Sequence, residues 1–339
     1  MEIIELGEGQ MGEWRSFLAE QPHLIFHTPE YQQFLRAAFP STEFKCVAAV
    51  ENGIQLILPI GLIRSQMLGN KVISAPFLEY GGFCGNLGHV EQVIAYLRGK
   101  YSKKYSYLEI RDGLPNEVLE KHLQKVTPYQ RFVLSLQGEE QNWELLDKQK
   151  RKAIRKAEKH LTLRELGKED IDQVYPLYLR NMKQFGSPPF AREYFVQFFS
   201  RPMGKCFGAF QEGKLCAALL GFTYQQRVHI TIAVAEKKSL ELRPNDLLHW
   251  EFIRWGIRNS YTVFDFGRVR EESGQFRFKQ EFGGELQELA HYYDLYQLKR
   301  IPKTDPSNGK YRFAIELWKK MPLIMQRKIG PGIREGLGI

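Results

Sequence analysis

Val47-Ala-Ala-Val-Glu-Asn-Gly-Ile-Gln-Leu-Ile-Leu-Pro-Ile-Gly61 reads as an apolar strand, a polar turn over Glu51, Asn52 and Gly53, and a second apolar strand. The pattern returns at Phe207-Gly-Ala-Phe-Gln-Glu-Gly-Lys-Leu-Cys-Ala-Ala-Leu-Leu-Gly221, with Gly213 in the place of Gly53, Gly221 in that of Gly61, and the same spacing within each pair. A second match follows in the same order. Tyr105-Ser-Tyr-Leu-Glu-Ile-Arg111 carries Glu109 where Tyr261-Thr-Val-Phe-Asp-Phe-Gly267 carries Asp265, each after a helix-like segment. Two strand motifs repeated in one order predict a duplicated fold.

In the second half the pattern predicts helices at 169–184 and 191–200, strands at 205–211, 214–224 and 227–235, a helix at 244–259 and a strand at 261–266. This order resembles the acyltransferase fold of the N-acetyltransferase (GNAT) superfamily, and residues 1–140 fit it less sharply. A chain of 339 residues is long for one core, since cores tend to split beyond about 250 residues. The expected class is therefore α/β (α+β): two tandem GNAT-like modules, each a mixed, largely antiparallel sheet flanked by helices. The expected bounds are 1–140 for the first module, 141–160 for a connecting helix, 161–300 for the second module and 301–339 for a basic tail.

Hydrophobic residues at 43% and charged residues at 26% exclude a largely disordered chain. No run reaches the roughly 20 apolar residues of a membrane span, and the N-terminus lacks a signal-like apolar block, so neither an anchor nor a signal peptide is expected, and the reading of its cysteines as reduced thiols places the protein in the cytoplasm. Cys46, Cys84, Cys206 and Cys216 have neither CxxC spacing nor a histidine cluster nearby and read as buried thiols, with no metal site. A net charge of +9 predicts anionic partners. The charge is densest at Lys148–Lys159, seven cations in twelve residues with Glu158 as the sole acid: either a solvated connector or a phosphate contact through residues such as Arg151 and Arg155.

Leu242-Arg-Pro-Asn-Asp-Leu-Leu-His-Trp250, Phe264-Asp-Phe-Gly-Arg268 and Phe278-Lys-Gln-Glu-Phe-Gly-Gly284 together resemble the signature of Fem peptidoglycan aminoacyltransferases, in particular the FemAB-related branch of exosortase and exopolysaccharide systems. Pro76-Phe-Leu-Glu-Tyr-Gly-Gly82, Arg151-Lys-Ala-Ile-Arg-Lys-Ala157 and Gly186-Ser-Pro-Pro-Phe190 fit the same branch, so the resemblance covers nearly the whole chain. It implies that Lys279 serves the aminoacyl-tRNA side of the reaction. Read as chemistry, acyl transfer needs a fixed cation for its oxyanion, and Lys279 lies between Phe278 and Phe282, which would wall it off from water; the plainer reading is a strand-edge cation. Arg268, at a strand's carboxyl end, is placed to clamp a phosphate. Asp265 points away from Phe264 and Phe266 and reads as a base, or as a partner of Arg268 or of a loop amide. Of Asn245 and Asp246 one caps the following helix; Asn245 and His249 stand as candidate contacts beside the plainer reading of His249 as a core residue. In Fem proteins the first module and the cleft bind the precursor's nucleotide or pyrophosphate, which makes Arg36 and Tyr80 candidates there.

Two departures bear on the donor. Glu236–Asn245 holds no glycine where CoA-dependent relatives cradle the pyrophosphate, and no sustained heptads provide a coiled-coil tRNA arm. The expected activity is transfer of an aminoacyl or acyl group to an amine of a cell-envelope precursor, with no tightly bound cofactor and with aminoacyl-tRNA, an acyl carrier protein or acyl-CoA as co-substrate. Expected partners are that anionic precursor and a tRNA acceptor stem, not DNA. A non-catalytic binding protein on the same double scaffold is the reading from another class. The tail Lys310–Lys328 interleaves cations with Phe313, Leu317 and Trp318. It either packs those three residues on the second module or lies weakly on the inner face of the membrane.

Overall fold

The computed structural model describes residues 1–65, 69–271, 273–302 and 309–338. Along the chain run β1 (Glu2–Glu5), α1 (Met11–Ala19), α2 (Pro29–Ala38), β2 (Glu43–Val50), β3 (Ile54–Ile63), β4 (Lys71–Ser74), β5 (Cys84–Gly85), α3 (Val90–Tyr101), β6 (Tyr107–Arg111), α4 (Glu117–Glu120), β7 (Gln124–Ser135), α5 (Glu139–Leu145) and α6 (Lys148–Glu158). After them come β8 (Thr162–Glu165), α7 (Ile171–Phe185), α8 (Arg192–Phe199), β9 (Gly204–Gln211), β10 (Lys214–Tyr224), β11 (Arg227–Ala235), α9 (Pro244–Arg258), β12 (Val263–Val269), α10 (Gly274–Gln280), β13 (Glu285–Leu295), α11 (Gly309–Lys320) and α12 (Leu323–Leu337).

Both repeated hairpins form. β2 turns into β3 through Asn52 (φ 55°) and Gly53 (φ 119°), and β9 into β10 through Glu212 (φ 50°) and Gly213 (φ 75°). Two successive positive φ values are what a tight hairpin turn of the type I′ kind requires, and the glycine supplies one of them without a Cβ clash.

The chain divides into two compact units, Met1–Tyr129 with Glu288–Pro306 and Pro331–Ile339, and Gln130–Gln287 with Ser307–Gly330. In the first, the strand order is β1-β2-β3-β4-β6-β13, and in the second β7-β12-β11-β10-β9-β8. Each sheet has one parallel pairing, β4 with β6 and β11 with β12, among otherwise antiparallel neighbours. In the second unit Gly221 faces Phe252 of α9, while adjacent Phe222 meets Phe198 of α8. Consecutive strand residues point to opposite faces, so α9 and α8 cover opposite sides of that sheet.

The units depart from the contiguous bounds read from the sequence. β7 precedes the basic helix yet pairs with β12, putting Phe132 and Leu134 into the core of the second unit. β13 follows the second unit's helices yet pairs with β6, putting Ala290 and Tyr292 into the core of the first. The basic helix is no solvated connector either: Lys150, Ala153, Ile154 and Ala157 form an inward stripe at helical spacing on α6. Of the tail residues expected to pack, Trp318 is buried, but Phe313 and Leu317 are exposed. All four cysteines are buried and free. Among the described residues no helix is long and apolar enough to cross a membrane.

Candidate functional site

β11 and β12 pair in parallel at Arg227↔Val263, Val228↔Phe264 and His229↔Asp265, and beyond that register both strands continue, to Ala235 and Val269. The pairing of β12 with β11 ends at Asp265, and its pairing with β7 is irregular between Asp265 and Arg268, where Gly267 sits at φ 70°. On the other prong, Ala235 stands opposite Ala217 of β10, and the Asn181 side chain of α7 takes up its backbone groups, donating to its carbonyl at 3.1 Å and accepting its N–H at 3.2 Å. The strands thus form a fork at their carboxyl ends, the place where α/β sheets gather ligands.

Asp265 closes the base of the fork and is fully buried. Its Oδ2 lies 3.1 Å from Arg131 Nη1, 3.4 Å from Arg227 Nη1 and 3.5 Å from His229 Nδ1, and Oδ1 accepts the Gly267 N–H at 2.9 Å. Arg131 and Arg227 compensate its buried charge. Burial keeps the carboxylate from any substrate, so the geometry gives it a positioning role rather than the base role expected. Of the partners left open by the sequence, the loop amide is found.

The first unit repeats the arrangement. Glu109 Oε1 lies 2.8 Å from Arg111 Nε and 3.2 Å from His291 Nδ1. Burial would raise its carboxyl, but Arg111 and His291 overcome this and hold it well below the usual range. By strand register, His291 stands two residues before the partner of Glu109, as Arg131 stands two before the partner of Asp265.

Lys279 lies on the helix α10, not on a strand edge, and is buried. Its ammonium donates to the carbonyls of Gly267 at 2.9 Å and Arg268 at 2.8 Å, fastening α10 to the turned end of β12. Arg268 is half-buried on that turn. The cation on the Phe278 and Phe282 rings is Lys150, 3.8 and 4.7 Å from their centroids and ion-paired with Asp246 at 2.8 Å and Glu281 at 3.2 Å. His249 packs among Phe266, Phe278 and Phe282. Its Nδ1 lies 2.7 Å from the Asn245 carbonyl, which can only accept, so Nδ1 carries the proton. Burial, with the charges of Lys150 and Lys279, pushes the ring down to about 3, so it is neutral near pH 7.

Neither Asn245 nor Asp246 caps α9: Pro244 takes the first helical position, which moves the cap back to Arg243 at φ 62°. Arg155 is exposed on α6, 5.5 Å from the Trp143 ring, and with Trp143, Trp250 and Arg254 lines an open cavity of about 320 Å³ edged by glutamates. Arg151 is half-buried on the same helix. Arg36 and Tyr80 belong to the first unit, where Arg36 Nη2 donates to the Phe44 carbonyl at 3.3 Å and Tyr80 is buried against Phe26. The second unit therefore brings Lys279, Arg268, Asp265, Phe278, His249 and Asn245 around α10 and the start of α9. Sequence reasoning missed Lys150, although its spacing with Ala153, Ile154 and Ala157 marks it as inward. It also missed Arg131, Arg227 and His229, which only strand pairing brings to Asp265.

Residues 147–280 match the acetyltransferase (GNAT) domain family. Among solved structures, FemX is similar with a TM-score of 0.67 at 11% identity, over 88% of this chain and 98% of that one. The C-terminal domain of a putative lysylphosphatidylglycerol synthetase from Agrobacterium fabrum is similar with a TM-score of 0.59 at 10% identity, over 95% and 96%. A tandem GNAT protein from the clavulanic acid biosynthesis pathway gives 0.58 at 13% identity, over 88% and 99%. No curated protein matches the chain in sequence. The chain thus has the tandem GNAT acyltransferase fold, and within it the fold is FemAB-like.

Proposed function

We propose that the chain is a FemAB-type acyltransferase that passes an aminoacyl or acyl group to an amine of an anionic cell-envelope precursor, in peptidoglycan or exopolysaccharide synthesis. The observation that carries this reading is the β11–β12 fork, one prong of which ends in the Gly267–Arg268 turn fastened by Lys279. The amine nitrogen bonds to the donor's carbonyl carbon and gives up a proton, and the tetrahedral intermediate, whose oxygen is negative, collapses by breaking the bond to the donor's oxygen or sulfur, which leaves with a proton. A cation held rigidly beside that oxygen lowers the barrier. Two of the three ammonium protons of Lys279 are committed to carbonyls, so Lys279 acts mainly by fixing the turn, and Arg268 on that turn is the group proposed to meet the oxyanion or a phosphate.

The start of α9 supports a donor other than CoA in the usual position. Asp246 sits buried in its first turn, paired with Lys150 and 3.5 Å from Arg243 Nε, and its carboxylate already occupies the positive end of the helix that a pyrophosphate would take. This favours aminoacyl-tRNA or an acyl carrier protein over acyl-CoA as the proposed donor. A similar fold bearing the name lysylphosphatidylglycerol synthetase supports an amino acid as the group transferred.

The test offers the purified chain each donor class with a nucleotide-linked or lipid-linked muropeptide and reads the product by mass spectrometry. Lys279→Ala is expected to lose about a hundredfold or more in kcat/KM. In the Arg268→Ala background the same change should cost little, because a residue acting through another loses its effect when that other is gone. Full activity of Lys279→Ala, or losses that simply multiply, would end the assignment.

A further inference from the structure

α11 and the first half of α12, which belong to the second unit, have an inner face and an outer one left exposed among the described residues. Inside, Trp318 is buried, and the Gln326 side-chain amide donates to the Trp318 carbonyl and to that of Met321, tying one helix to the next. Ile315 lies against Gly186 after α7. Outside, Phe313 is 72% exposed, Leu317 57%, Ile324 82%, Met325 50% and Ile329 42%. At 100° per residue Phe313, Leu317 and Lys320 share one side of α11, and Ile324, Met325, Lys328 and Ile329 share one side of α12. Over 312–329 the cations Arg312, Lys319, Lys320, Arg327 and Lys328 face a single acid, Glu316, which is taken up by Lys319 at 2.8 Å.

These large apolar side chains contribute little to the fold where they stand, and their concentration on one short segment departs from the scattered exposure of an ordinary surface. Charge selects the occupant. A rim of cations around exposed Phe, Leu and Ile matches a surface with apolar depth and negative headgroups. We propose that the outer face of α11 and the first half of α12 binds an anionic lipid bilayer. Phe313, Leu317 and Ile324 enter the boundary between headgroups and acyl chains, and Arg312, Lys320, Arg327 and Lys328 lie against the headgroups. The contact stands independently of the acyl-transfer reading and would bring the second unit to a membrane that holds a lipid-linked acceptor.

The full-length chain is sedimented with vesicles of phosphatidylcholine, with and without phosphatidylglycerol. It is expected to pellet with the anionic vesicles at low salt, to stay in solution with the neutral ones, and to be released by roughly 0.5 M NaCl, where the Debye length is only a few ångströms. Phe313→Ser with Ile324→Ser, and separately Lys320→Glu with Lys328→Glu, should each weaken binding about tenfold or more, the two pairs removing the apolar and the electrostatic share respectively. Unchanged circular dichroism melts keep these variants informative. A wild-type chain that stays in the supernatant, or variants that bind as tightly, overturn the proposal. So does a dimer in light scattering that Phe313→Ser with Ile324→Ser makes monomeric while vesicles are ignored, since a second copy then covers the face. Transfer to a soluble acceptor should persist in both variants, which separates failure here from failure of the proposed activity.

Discussion

Lys150 and His249 share one apolar pocket, both against the Phe278 and Phe282 rings. Lys150 has Asp246 and Glu281 against it, so its ammonium is buried with compensation. The His249 ring, set between Lys150, Lys279 and the phenylalanines, is kept neutral. In the first unit His27 is likewise buried and pushed down to about 4. Unfolding releases both rings to their ordinary value of 6.5. Between 6.5 and the folded values the unfolded chain holds more protons, so stability is complete above that window and is lost as pH falls through it. Each ring contributes a slope of about 1.4 kcal/mol per pH unit there. Urea unfolding from pH 6.5 to 4 should therefore show a shallower loss in His249→Gln and in His27→Gln than in the wild type. A wild-type slope in both variants would mean that neither ring is held neutral.

At the scale of single elements, α6 has two sides with different work. Its inner side carries Lys150 into the pocket, while Arg155 on the outer side is exposed and Arg151 half-buried. If the outer side grips a tRNA acceptor stem, Arg151→Glu with Arg155→Glu should weaken tRNA binding and reduce the slope of log affinity against log salt by about two, one per lost phosphate contact. Unchanged affinity and slope would leave α6 as a packed helix with a solvated flank. The helix was legible in the sequence as a run of charge, but its inward lysine was not, because a cation in an apolar stripe is visible only when its neighbours are read as buried. The hairpins at Asn52–Gly53 and Glu212–Gly213 were legible for a local reason: the turn residue and the alternation on either side lie within fifteen residues. The Lys279 motif is legible in the sequence, and the partners of its ammonium are not. Nothing local in Phe278-Lys-Gln-Glu-Phe says that the ammonium turns back to the carbonyls of residues 267 and 268, or that the phenylalanines hold a lysine from another helix.

For the whole molecule, the repeat was readable and the chain's division was not, since partner choice between strands is a non-local decision. β7 lies N-terminal to the basic helix, yet its Leu134 sits opposite Phe264 in the core of the second unit. β13 lies C-terminal to the whole second sheet, yet its Tyr292 sits opposite Ile110 in the first, its hydroxyl accepting the Asn116 N–H at 2.6 Å. Each unit is thus finished by a strand from the other half of the sequence, and a core substitution should be felt in the unit that holds the side chain, whatever its sequence position. Removing a buried leucine costs about 2–5 kcal/mol and an aromatic about 3–5, enough to shift local opening within one unit. Native-state hydrogen exchange on the intact chain distinguishes the cases. Leu134→Ala should lower protection in α9 and β12 and leave α3 and β6 nearly unchanged. Tyr292→Ala should do the reverse, exposing α3 and β6 while α9 and β12 hold. If Leu134→Ala instead loosens α3, and Tyr292→Ala loosens α9, each strand belongs to its own half of the sequence and the exchange of closing strands is wrong.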